Sequence, residues 1–126
     1  MGHPLVGVWS VEISWADRPH LEHATHTYHP EGSMAIAAST YAAHGAWTVT
    51  GERSAEVAAL MPIPPGGGLS GWLDMHANVQ VSDDGNAFRM DAVVARPTPS
   101  GVPSERQATI SGRRFAVGAK AWTASG

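Results

Sequence analysis

Apolar and polar residues alternate with a period of two along most of this chain, while helical spacing of apolar residues is scarce. In Gly7 to Trp15, Trp9, Val11, Ile13 and Trp15 share one face, and Ser10, Glu12 and Ser14 share the other. The same rhythm predicts strands over His23 to His29, Ser33 to Thr40, His44 to Thr50, Ser54 to Met61, Leu69 to Ser82, Ala87 to Ala95 and Glu105 to Phe115. A short strand or tail around Val117 to Trp122 completes the set. Turn chemistry separates these runs. Pro30-Glu31-Gly32 and Asp83-Asp84-Gly85-Asn86 place glycine where a hairpin needs positive φ. Pro62 to Gly68 (PIPPGGG) and Pro97 to Pro103 (PTPSGVP) read as long exposed loops, since their prolines and glycines suit neither strand nor helix.

About eight strands in succession, each joined to the next by a turn or loop, describe an antiparallel meander. Closing it into an up-and-down barrel removes the exposed edges, and an open sandwich is the alternative architecture. A chain of 126 residues suits one such domain, spanning 1–126. The fold class expected is therefore all-β.

Composition narrows the partners. Only 8 Lys and Arg stand against 11 Asp and Glu, with no basic run, so neither nucleic acid nor an anionic membrane surface is expected. The absence of cysteine removes disulfides, thiolate metal ligands and thiol nucleophiles together. MGHPLVGVWSVE lacks a charged lead followed by a long apolar stretch, so a cytoplasmic location is expected. A homodimer is compatible with the sequence.

At Gly7-Val8-Trp9, just after HPLV, the chain resembles the calycin group, which includes lipocalins, fatty-acid-binding proteins and avidin-like barrels. The patterns HTYHPEGS (His26 to Ser33) and HGAW (His44 to Trp47), with an Asp-Asp-Gly hairpin after a long strand, are similar to the cadence of small bacterial lipocalin-like barrels. The resemblance implies a barrel whose Trp9 closes one end, with Arg113 or Arg114 from the last strand packed over the indole. It brings no catalytic motif, so it speaks to fold rather than function.

The stretch HLEHATHTYHPEG carries histidine at every third position: His20, His23, His26 and His29. On a strand that spacing sends neighbours to opposite faces, so the four cannot converge on one ion, and no metal site is expected. His23 and His29 share a polar face with Thr25 and Thr27, which leaves His26 and Tyr28 facing inward. Met34 and Ile36 on the next strand, and Trp47 with Val49 on the one after, belong to the same interior. His26 is then either a core histidine satisfied by a backbone carbonyl or by Tyr28, or a group that serves a pocket.

The long strand sets Leu73, Met75, Ala77, Val79 and Val81 against Trp72, Asp74, His76, Asn78 and Gln80. The apolar row is expected inside and the polar row in water. The sharper alternative is a polar pocket wall with Asp74 and His76, side by side on one face, as an acid–base pair; a bulge near Gly71 could also change the facing partway along the strand. Arg89 and Asp91 read as a surface pair.

These residues suggest a barrel that holds a small apolar or aromatic molecule among Trp9, Trp15, His26, Tyr28, Met34, Trp47, Met75 and Met90. Tyr41 to Ala43, Pro62 to Gly68 and Pro97 to Pro103 would frame its mouth. The alternative is a cofactor-independent enzyme of cyclase or isomerase type. In it His26 would be the general acid/base and Tyr28 a hydrogen-bond donor, with Asp74 and His76 as second choice. A weaker alternative is haem binding through an interior histidine; the C-terminal histidine that such calycin-like sites use has no counterpart, since the last histidine is His76. No cofactor is otherwise called for.

Overall fold

The computed structural model describes residues 2–19, 21–62 and 72–116. Its eight strands are β1 (Gly7–Trp15), β2 (Leu21–Tyr28), β3 (Ser33–Ala38), β4 (Ala42–Gly51), β5 (Ser54–Pro62), β6 (Trp72–Val81), β7 (Ala87–Arg96) and β8 (Ser104–Phe115). Each pairs antiparallel with the next, and β8 returns to β1 to close the barrel. Closure runs from Val8 opposite Phe115 to Trp15 opposite Ala108. The sandwich alternative therefore falls, and the meander closes on itself as the economy of edges requires. The start of the predicted long strand at Leu69, the suggested bulge at Gly71, most of PIPPGGG and the stretch Val117 to Trp122 lie outside the described residues, as does His20.

The alternation settles which face is inside. Trp9, Val11 and Ile13 on β1, His26 and Tyr28 on β2, and Met75, Ala77, Val79 and Val81 on β6 are all buried. Gly32 and Gly85 hold φ of 105° and 76° in their hairpins, which is why glycine stands there. One expectation is corrected. Val49 does not share the interior of Trp47 but is 56% exposed. It pairs in register with buried Ala55 but stands at the end of the regular ladder, just before the register shifts toward Gly51, and is open to solvent there.

One end of the barrel is sealed. The N-terminal turn lays Leu5 over it, fully buried, and Leu5 accepts a hydrogen bond from Trp9 Nε1 at 2.9 Å. His3 donates from Nε2 to the Gly51 carbonyl at 3.0 Å and accepts the Leu5 amide on Nδ1 at 3.1 Å. Arg114, rather than Arg113, is the basic residue over Trp9, with its guanidinium 4.4 Å from the ring centroid. It also donates to the carbonyls of Pro4, Val6 and Gly85. The Gly-Val-Trp signature gains a physical reason here. Gly7 has φ 134°, and a Cβ at that position would lie 2.7 Å from the Arg114 guanidinium.

Candidate functional site

The two halves of the barrel are filled differently. Toward the sealed end, Trp9 and Phe88 rings lie 4.8 Å apart, and Tyr28 meets both Trp47 and Phe88 edge-on at 6.3 Å. Room for the Phe88 ring comes from Gly112 on the facing strand, where a Cβ would fall 2.5 Å from it. Toward the other end the inward positions include Ala43, Ala59, Ala92 and Ala108. These short side chains leave the barrel axis unfilled, and a cavity of about 320 Å³ results. That volume is within the range of small-molecule sites, at its lower end.

Ile13, Ile36, Met75, Val94 and Ile110 make its apolar walls. Trp15, Tyr41, Met61, Leu73, Glu22, Arg96 and Arg106 stand around the mouth. The rim is braced by Arg106, which grips the Asp17 carboxylate through two hydrogen bonds of 3.0 and 2.8 Å. The same guanidinium lies 4.2 Å from the Trp15 ring centroid, while Trp15 Nε1 donates to Glu22 at 3.0 Å. The hydrogen bonds from Arg106 hold the Asp17 carboxyl below its ordinary range.

His26 forms the floor between the cavity and the aromatic plug. Its side chain has no exposed surface, and it is the one polar residue of the buried core among the described residues. Nδ1 and the Tyr28 hydroxyl are 2.9 Å apart. Nε2 is buried with no partner. Burial disfavours the imidazolium and pulls the His26 pKa from 6.5 down to about 4, so the ring is neutral at physiological pH. The same desolvation raises the Tyr28 phenol, which stays protonated.

The residues expected to line a pocket divide. Trp15, His26 and Met75 border the cavity. Trp9, Tyr28, Met34, Trp47 and Met90 are buried beneath it, in the filled half. Trp47 is anchored there by donating from Nε1 to the His29 carbonyl at 2.9 Å. Asp74 and His76 lie outside the barrel, 46% and 68% exposed at the side chain for Asp74 and His76 respectively, and pair at 2.7 Å. They are thus neighbours, but across the wall from the cavity. Arg89 and Asp91 are likewise an outer pair at 3.6 Å. Of the loops expected to frame the mouth, Tyr41 and Ala43 line the cavity, whereas no residue of Pro97 to Pro103 does; Arg96, just before that loop, does. The stretch Pro62 to Gly68 is described only at Pro62. No group of three or more His, Asp or Glu among the described residues is placed to hold a metal ion. A larger depression of about 930 Å³ on the outer wall, lined in part by Glu56, His76, Asn78, Asp91 and Thr109, is more open to solvent than the chamber and does not include His26.

The site residues that sequence reasoning missed are the alanines, and with them Glu22, Arg96 and Arg106. Their signal was the short side chain at inward positions of β4, β5, β7 and β8, close to the strand ends that meet at the mouth.

No family model and no curated protein matches this chain. Among solved structures it is similar to that of EF1p2_mFAP2b bound to DFHBI, with a TM-score of 0.66 over 89% of this chain and 94% of the other. The two are 15% identical. At that identity the likeness is one of fold: an eight-stranded antiparallel barrel, which fits the calycin-like reading of the sequence.

Proposed function

We propose that this protein binds a small apolar or aromatic molecule in the cavity above His26. The observation that carries this reading is the pairing of an apolar chamber of about 320 Å³ with a fully buried, unpartnered nitrogen at its floor. A buried polar atom without a partner is costly, and a ligand in the chamber could satisfy it. A barrel of similar fold holds DFHBI, which supports this use of the architecture. Trp15 at the mouth makes a natural reporter. Apolar and aromatic probes should quench it saturably in a Trp72→Phe, Trp122→Phe variant, which lacks the exposed Trp72 indole. Filling the chamber with Ala92→Phe should abolish that response while the circular dichroism spectrum persists. Saturable quenching that survives Ala92→Phe would place the ligand elsewhere and refute the reading.

The same nitrogen favours a second reading, cofactor-independent proton transfer with His26 as general acid/base and Tyr28 as donor. Burial weighs against it. With a pKa of about 4, protonating the ring at pH 7 costs about 4 kcal/mol. Tyr28 also does not border the chamber. Turnover of an enolisable substrate that is lost in His26→Ala, with binding retained, would favour the enzyme.

A further inference from the structure

Only one nitrogen of His26 is spoken for. Tyr28 Oη is 2.9 Å from Nδ1, and no other group among the described residues hydrogen-bonds to that hydroxyl. Two proton arrangements are compatible with the contact. If Nδ1–H donates to Oη, the hydroxyl proton is left buried without an acceptor, and Nε2 is an unfilled acceptor beside it. If Oη–H donates to Nδ1, the neutral ring carries its hydrogen on Nε2, and that N–H and the hydroxyl lone pairs remain unmet. Each arrangement strands one donor and one acceptor, so the bond itself decides: a phenol is the stronger donor and a neutral imidazole nitrogen the stronger acceptor, which favours Oη–H donating to Nδ1. Tyr28 therefore fixes the tautomer of His26 as Nε2–H. His26 borders the chamber and Tyr28 does not, so with Nδ1 committed to Tyr28 the free N–H is the ring position left to a ligand.

We infer that the ligand carries a hydrogen-bond acceptor of carbonyl type at its buried end, received by His26 Nε2–H, with Tyr28 as the positioning residue that sets the donor. This rests on the cavity reading above and adds the chemical class. The chamber excludes a charged end. Its inner walls are Ile13, Ile36, Met75, Ala92 and Ile110, with no cation among them to balance a buried carboxylate, whose desolvation would then be uncompensated. Arg96, Arg106 and Glu22 all stand at the mouth. A ketone, aldehyde, ester or quinone oxygen fits the floor, with the apolar body along the barrel axis.

The test uses a matched pair of probes, acetylnaphthalene and its hydrocarbon isostere isopropenylnaphthalene, titrated into the wild-type protein and into His26→Leu and Tyr28→Phe. The wild type should favour the ketone over the hydrocarbon by about tenfold more than His26→Leu does, the worth of one buried hydrogen bond. Tyr28→Phe should lose part of that preference without contacting the probe. Should His26→Leu fail to fold, long-range proton–nitrogen spectra of the wild type carry the same question. His26 should be protonated on Nε2 in the free protein, and that proton should move downfield with the ketone but not with the hydrocarbon. Binding of both probes with the same ratio in every variant, or a proton on Nδ1, would overturn the acceptor assignment and leave the cavity reading standing. Failure of both probes to bind the wild type would overturn both.

Discussion

Burial alone lowers the pKa of His26 from 6.5 to about 4, with no charged neighbour contributing, and this makes mild acid a specific perturbant of the fold. An unfolded chain takes up a proton on this histidine at its ordinary value, whereas the folded barrel resists doing so until about pH 4. Between those two values the unfolded state binds more protons, so stability is fully present above about pH 6.5 and falls as the pH drops toward 4. The difference amounts to about 2 kcal/mol by about pH 5 and about 3 kcal/mol by about pH 4. The reference is a double variant, His26→Phe with Tyr28→Phe, which removes both members of the buried pair together. Such paired replacement strands no polar group and should be neutral or stabilising at pH 7. Urea unfolding followed by circular dichroism across pH 4.5 to 7.5 gives the two stability curves. Asp17, Glu31 and Asp84, all held low by their own hydrogen bonds, add an acid slope of their own, but it is common to both proteins and cancels in the difference. The wild type should lose about 2 kcal/mol relative to the variant on going from pH 7 to pH 5. Curves that stay parallel to within about 0.5 kcal/mol would mean that His26 is hydrated or paired in solution, and the physical account of the cavity floor would fail.

Arg114→Ala should cost about 2 kcal/mol in urea unfolding, through the cation–π contact and the carbonyl hydrogen bonds it loses, while Arg113→Ala on the exposed side should stay within about 0.5 kcal/mol. Gly112→Ala should destabilise by about 1–3 kcal/mol by pushing the Phe88 ring out of its place; an unchanged unfolding midpoint would show that the plug is looser than its contacts imply.

Alternation carried most of the fold. It told inside from outside on β1, β2, β6 and β7, and the glycines at positions 32 and 85 marked two hairpins by their required backbone. It also placed His26 and Tyr28 inward and separated them from the other described histidines of the repeat. What alternation cannot report is depth along the barrel axis. Trp9, Met34, Trp47 and Met90 face inward as Met75 does, yet they lie beneath the chamber while Met75 borders it. Depth follows from strand stagger and from where small residues sit, and large side chains attract attention that alanines do not. Val49 eluded the pattern for a different reason: it keeps the period but sits at the end of the ladder, where alternation does not guarantee cover.

The central claim, that a small molecule enters the alanine-lined half of the barrel and comes to rest on His26, is tested most directly by methyl NMR of methionine-labelled protein titrated with acetylnaphthalene. Met75 borders the chamber and Met61 its mouth, whereas Met34 and Met90 are buried in the filled half. The account predicts saturable shifts of the Met75 and Met61 methyls with Met34 and Met90 nearly still. Shifts confined to Met34 and Met90, or no shift at saturating probe, would contradict it.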